Sequence, residues 1–194
     1  EFMWGLGNSM SAAILGQLGA GVSSANSVVA VVRQLAQVVS FGTAGAAAVM
    51  IGKRVGEGKP EQAKIEAKRF HVMGTLFGIA GCLTVLLLRP LIIGFVSISK
   101  EAKSLLSVML LIIAVVVIAQ SHNCTLIVGI YRGGGDTKFG MLIDCATLWF
   151  GSLLFGYLAA FVWKFPVPVV FSFLLLDEFL KIPFCLVHYL RYKW

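Results

Sequence analysis

The sequence is poor in charged residues, and it has three histidines and four cysteines. Charged residues make up 13% of its 194 positions, about half the share in a soluble domain, whereas hydrophobic residues make up 58%. The mean hydropathy is +0.90. The runs 72–88 and 105–118 contain no charged residue, and a helix crosses a bilayer with about 20 apolar residues. This composition excludes a soluble domain and predicts an integral membrane protein whose first partner is the lipid bilayer.

The scarce chemical groups also exclude several kinds of site. All four cysteines lie inside apolar segments without a Cys-x-x-Cys pair, which excludes a disulfide framework and a zinc site. No Ser/His/Asp arrangement or metal-spaced pair is present, so we expect no catalytic residue, no resident metal and no cofactor. The glycine-rich run 133–138 lacks the order and the preceding strand of a phosphate-binding loop. The net charge of +7 comes from basic residues beside apolar spans, which favours membrane anchoring over nucleic-acid binding.

Breaks in the apolar pattern predict one all-α domain over residues 1–194, a polytopic bundle of six transmembrane helices. Glycine and proline clusters mark most of the breaks, and Asp136 is placed to cap the fifth helix. We expect the six helices at about 1–19, 24–54, 61–97, 100–132, 136–164 and 166–192.

The distribution of Lys and Arg predicts the orientation of the bundle. The links after helices two and four and the C-terminus carry Lys53, Arg54, Lys59, Lys64, Lys68, Arg69, Arg132, Lys138, Arg191 and Lys193. The opposite side carries Lys100, Lys103 and Lys164, with Arg89 near it. Because cytoplasmic loops are enriched in basic residues, we expect the C-terminus in the cytoplasm. Six helices with both ends on one side are typical of half of a two-repeat transporter.

Polar residues inside the second and fourth helices are candidates for function, since such groups are costly at lipid depth. Arg33, Gln34 and Gln37 lie within one and a half turns, either as a polar seam between helices or as the wall of a water-filled cavity. In the fourth helix the polar run 120–123 includes Ser121 and His122. It offers the same two interpretations, packing or cavity contact.

Acidic residues in the last two helices form the second group. Asp144 has no charged neighbour at three or four positions, so it is protonated, paired across helices or hydrated. Asp177 and Glu178 precede Lys181 at the spacing of local ion pairs. Pro183 predicts a kink just beyond them.

Several motifs, in this order, resemble the C-terminal half of multidrug and toxic compound extrusion (MATE) transporters. They are the opening run 1–7, the end of the first helix at 15–19, the run 49–58 with Ala63-Lys64 after it, and, most specifically, Ile127-Val-Gly-Ile-Tyr-Arg-Gly-Gly-Gly-Asp-Thr137. The resemblance covers essentially the whole chain. It implies a non-enzymatic antiporter of the plasma membrane, in which inward flow of Na⁺ or H⁺ expels drug-like, often cationic molecules. It also implies two six-helix lobes around a central cavity, so that an N-terminal lobe absent here is the partner of this chain.

The resemblance also assigns residues, one position at a time. Glu1 occupies the position of a glutamate that many members use to bind cation or substrate, unless it is a cloning scar; the chain has no initiator Met, and we expect a fragment. Some relatives bind a cation through an acidic residue at the position of Ser121. In this chain His122 or Asp144 would replace that residue, or the missing lobe would carry the coupling acid. The candidate binding residues are Glu1, Gln34, Gln37, Ser121, His122 and Asp144, and the structural or motif residues are Arg132, Gly133, Gly135, Asp136, Glu178 and Lys181.

Two other functions fit a chain of this composition. A flippase of lipid-linked precursors from the same broad superfamily would need a strongly cationic cavity for phosphate groups, and Arg33 and Lys181 are its candidates. A membrane scaffold would leave the cost of burying Asp144 and His122 unexplained.

Overall fold

The computed structural model describes residues 2–191, which form helices and no strand. Five continuous helices are followed by a sixth that is broken into two halves. The helices are α1 (Phe2–Gln17), α2 (Ala20–Gly56), α3 (Pro60–Phe95), α4 (Lys100–Gly134) and α5 (Thr137–Val162), and the halves of the sixth are α6 (Val167–Leu174) and α7 (Asp177–Leu190). Short π-helical stretches interrupt α4 at Thr125–Tyr131 and α5 at Thr147–Leu153 and Leu158–Val162.

The turn between α1 and α2 is shorter than the sequence predicts. Gly19 has a φ of 132°, a conformation that residues with a Cβ rarely adopt, and with Leu18 it forms the whole link between the two helices. Helix α2 therefore begins at Ala20 rather than near residue 24. Between α4 and α5, Gly135 has a φ of 99°, and the Asp136 carboxylate accepts a hydrogen bond from Phe139 N at 3.2 Å. This is the predicted cap of the fifth helix.

The sixth helix breaks at Leu175–Leu176, a place that the sequence did not predict, and the kink at Pro183 stays a prediction. Helix α7 continues through Pro183 to Leu190. Ser152 of α5 explains the break, because its hydroxyl accepts a hydrogen bond from Asp177 N at 2.7 Å and donates one to Asp177 Oδ1 at 2.8 Å. The backbone N–H of Asp177, the first residue of α7, is thus satisfied by a side chain of α5. It needs no carbonyl acceptor in α6.

Small residues bring α4 close to its neighbours. A Cβ added to Gly78 of α3 would lie 3.1 Å from Ile118 Cα, and one added to Gly133 would lie 2.8 Å from Ala48 O of α2. Such close backbone approach is typical of helix packing in membranes. Helix α4 consequently lies in the centre of the bundle, with Leu106, Ile113 and Leu126 fully buried.

Four helices within residues 2–191 are long and apolar enough to cross a membrane, namely α2, α3, α4 and α5. Helix α1 has 16 described residues, and the sixth helix is divided, so neither has the continuous length of the other four. Large apolar side chains such as Leu87, Phe95 and Phe150 point outwards. The architecture is that of an all-α, multi-pass membrane bundle.

Candidate functional site

A cavity of about 560 Å³ opens beside α1, α2, α4 and the break in the sixth helix. Its size lies within the range of small-molecule sites. Apolar side chains make up most of its wall, and polar residues from four helices contribute the rest. Those polar residues are Asn8, Ser11, Asn26, Arg33, Gln34, Gln37, Gln120, Asp177 and Glu178.

The break in the sixth helix positions two carboxylates at this cavity. Asp177 and Glu178 occupy the first turn of α7, where the positive end of the helix dipole stabilises negative charge. They are 5% and 4% exposed, respectively. A continuous helix would not place its N-terminus here, so the break is part of the construction of the site.

Lys181 joins α7 to α5 below the cavity. Its Nζ lies 2.6 Å from Asp144 Oδ1 and 2.7 Å from Asp177 Oδ2, and the residue is 2% exposed. Asp144, for which the sequence left three states open, is thus paired across helices. The local pair expected of Glu178 and Lys181 is long, since Glu178 Oε2 is 3.9 Å from Nζ.

Glu178 is the carboxylate with the weakest compensation. Its Oε1 lies 3.8 Å from Arg33 Nη2, and Arg33 Nε instead donates to Gln120 Oε1 at 2.8 Å. The hydrogen bond that Glu178 accepts comes from Asn123 Nδ2, at 3.0 Å from Oε2. Neither Arg33 nor Lys181 is within hydrogen-bond distance of this carboxylate.

These five ionisable side chains carry an excess of one negative charge when all are ionised. The carboxylates of Asp144, Asp177 and Glu178 face the two cations Lys181 and Arg33. The N-terminus of α7 contributes only about half a positive charge. Within residues 2–191, no group of three or more His, Cys, Asp or Glu is arranged to hold a metal ion.

Two predicted candidates, Gln34 and Gln37, line the cavity. Gln37 fits both interpretations of the polar residues in the second helix, the seam between helices and the cavity wall. Its Nε2 donates to Val117 O of α4 at 3.1 Å, and the residue also lines the cavity. Its Oε1 is buried and has no hydrogen-bond partner. Glu1 lies outside the described residues.

Ser121 and His122 lie away from the cavity wall. The Ser121 hydroxyl is fully buried, donates to Gly74 O at 2.6 Å and lies 2.6 Å from Ser40 Oγ, so it connects α4 to α3 and α2. His122 faces α3, where its Nδ1 lies 3.5 Å from Thr75 Oγ1 and its ring is edge-on to that of His71. The Ser121 hydroxyl thus serves contacts between helices, whereas His122 Nε2 is buried without a hydrogen-bond partner.

The glycine motif before α5 lies at the end of α4 and contacts α2, α5 and α7. Asp136 caps α5 with one oxygen, and its Oδ2 lies 2.7 Å from His188 Nε2 of α7. Gly133 permits the contact with α2 described above, and Gly135 makes the turn, while Arg132 is exposed. The motif residues thus lie at a helix junction, apart from the cavity.

Sequence reasoning missed several residues of the site. Asn8 and Asn26 line the cavity, and each is an amide within a largely apolar helix, a signal that could have found them. Ser152 positions Asp177, and a lone serine beside a glycine carries no such signal. Asn123 was visible within its polar run, but its contact with Glu178 was not.

A multi-pass bundle with a polar cavity beside a broken helix is typical of one lobe of a membrane transporter. The family model named MatE matches residues 2–158. The chain therefore belongs to the MatE family.

A solved structure shares the fold. It is a MOP superfamily transporter from Pyrococcus furiosus Vc1 (DSM3638), for which the reverse polarity of the binding pocket suggests a different function. The TM-score is 0.82 and the identity 18%, over 97% of this chain and 41% of that one. This chain thus spans about two fifths of the length of that transporter. No curated protein sequence matches the chain.

Proposed function

We propose that this chain is one lobe of a cation-coupled antiporter that exports drug-like organic cations. The complete protein would pair it with a second six-helix lobe in the plasma membrane, with the C-terminus in the cytoplasm. The single observation that carries the proposal is the acidic excess of the network at the cavity, where Asp177 and Glu178 are buried against too few cations.

The cavity suits a small cation in shape as well as in charge. Its volume of about 560 Å³ accommodates a drug-sized molecule, and its wall is mostly apolar with some polar residues. An organic cation would bury its apolar body against residues such as Phe41 and Phe171 and direct its charge towards Glu178. Attraction of this kind is stronger at partly buried carboxylates than in bulk water.

A single site with one excess negative charge would also explain why an inorganic cation is exchanged for an organic one. An inorganic cation and an organic cation would compete for the same carboxylates, so binding of one favours release of the other. Movement of this lobe against the second would expose the site to either side in turn. Antiport then follows from competition, with sodium or protons as the coupling ion and no resident cofactor.

Reconstitution of the full-length protein in proteoliposomes tests the proposal. We expect a cationic dye to move against its gradient when an inward sodium or proton gradient is imposed, and an anionic dye of similar size not to move. The matched control is Glu61→Gln, which removes an exposed carboxylate at the start of α3 and should transport as the wild type does. Absence of gradient-dependent flux of the cationic dye in both the sodium and the proton arm would refute the proposal.

The flippase alternative lacks comparable support. Among the described residues that line the cavity, Arg33 is the single cation, and its guanidinium is already engaged by Gln120 and Glu178. Lys181 lies beneath the wall, between Asp144 and Asp177. A phosphate-bearing lipid would therefore meet more negative than positive charge.

A further inference from the structure

Two buried amide oxygens near Glu178 have no hydrogen-bond donor. They are Asn123 Oδ1 and Gln37 Oε1, in residues that are 2% and 1% exposed. Burying a carbonyl oxygen without a partner costs free energy, so a native structure normally supplies a donor or a cation. An unpartnered oxygen in this setting points to a bound group.

The positions of the two amides relate both of them to Glu178. Asn123 donates its Nδ2 to Glu178 Oε2 at 3.0 Å, so its free oxygen belongs to the same amide group. Gln37 lines the cavity together with Glu178 and lies one turn along α2 from Arg33, whose Nη2 is 3.8 Å from Glu178 Oε1. One free oxygen thus belongs to the amide that contacts Glu178, and the other to a residue that lines the same cavity.

The neighbouring carboxylates are already satisfied. Asp177 accepts from Ser152 and Lys181, at 2.8 Å and 2.7 Å, and Asp144 lies 2.6 Å from Lys181 Nζ. Lys181 is thus shared by two carboxylates at close range, whereas Glu178 has no cation within hydrogen-bond distance. Carboxylate and amide oxygens together are ligands for hard cations, and an amide oxygen equally accepts a hydrogen bond from a protonated carboxyl.

We propose that Glu178, assisted by Asn123 Oδ1 and Gln37 Oε1, is the binding site for the monovalent coupling cation in this lobe. The cation is either a proton carried on the Glu178 carboxylate or a sodium ion coordinated by that carboxylate and the amide oxygens. This inference rests on the proposed antiport, since it names the ion site of that cavity. The binding itself is measured without transport.

Cation binding by the purified full-length protein tests the site in two arms. In the first, sodium chloride replaces choline chloride at constant ionic strength while the midpoint of thermal unfolding is recorded. In the second, proton release into a weakly buffered solution is recorded when an organic cation is added. We expect the wild type to respond in one arm, which identifies the cation, and Glu178→Gln to lose that response. Glu61→Gln, which removes an exposed carboxylate, should keep it.

Three results would overturn the site: a wild-type response retained by Glu178→Gln, an equal loss in Glu61→Gln, or no wild-type response in either arm. If Glu178→Gln does not elute as a folded protein, Glu178→Asp is measured instead. Aspartate keeps the charge but withdraws the carboxylate by one methylene, so we expect the response to require a higher cation concentration than in the wild type. An unchanged concentration dependence would contradict the proposal. Dye flux in proteoliposomes reports separately on antiport, so flux with an intact response in Glu178→Gln refutes the site alone. Binding without flux refutes antiport alone.

Discussion

Replacing Lys181 by methionine removes the cation that holds α5 and α7 together. Methionine has a similar length and keeps the apolar stem, so the main change is the loss of the ammonium group. In the wild type that group lies 2.6 Å from Asp144 and 2.7 Å from Asp177, in a residue that is 2% exposed. Removing one partner of a buried ion pair costs about 3–5 kcal/mol, because the other charge remains buried. We expect Lys181→Met to lower the free energy of unfolding by about that amount.

A double variant separates the ion pair from the packing of the stem. Asp144 is 26% exposed at its side chain and is partly hydrated, whereas Asp177 retains its hydrogen bond from Ser152. Adding Asp144→Asn to Lys181→Met should therefore restore about 1–2 kcal/mol, a coupling typical of residues in contact. The control is Lys53→Met at an exposed position, which should stay within about 0.5 kcal/mol of the wild type.

Reversible unfolding of the full-length protein in mixed micelles, followed by tryptophan fluorescence during titration with sodium dodecyl sulfate, measures these differences. The reasoning is refuted if Lys181→Met is as stable as Lys53→Met, since Lys181 would then contribute nothing as a buried cation. It is also refuted if the double variant is less stable than Lys181→Met alone. That result would mean that Asp144 stabilises the bundle without its partner.

Two further predictions concern helix packing and capping, and the same titration measures both. Gly78→Ala should lower the free energy of unfolding by about 1–3 kcal/mol, because its Cβ would lie 3.1 Å from Ile118 Cα. Gly94→Ala, with nothing within 4 Å of its Cβ, should be neutral or slightly stabilising. Equal effects of the two substitutions would contradict the close approach of α3 and α4. Asp136→Ala should cost about 1–2 kcal/mol by removing the cap of α5 and the partner of His188. Asp136→Asn, which keeps a cap acceptor, should cost less, and the reverse order would show that the cap contributes nothing.

Much of the fold could be predicted from the sequence, because its signals are local. Apolar runs of the length of a bilayer predict helices, and Gly135 with Asp136 predicts the turn into α5 wherever the rest of the chain lies. The break at Leu175–Leu176 could not be predicted in this way. It depends on Ser152, 25 residues earlier in the chain, which satisfies the backbone N–H of Asp177.

The candidate site was predicted in part, and the reason is geometric. A polar residue in an apolar helix signals a need for a partner, which drew attention to Gln37, His122 and Asp144. The sequence does not specify towards which neighbour a given helix face turns. His122 consequently faces α3 instead of the cavity, and Asp144 meets Lys181 from another helix.

The sequence by itself determined that this protein lies in a lipid bilayer, how many helices it has and that costly polar groups lie within them. These features follow from local signals, namely the hydropathy of each run and the glycines at which helices end. Only the tertiary structure decided which of those groups share a cavity and how their charges balance. Charge balance depends on distances of a few ångströms between α2, α5 and α7, and packing alone sets those distances. Glu178 is an example, for its closest cation in sequence, Lys181, is engaged by Asp144 and Asp177.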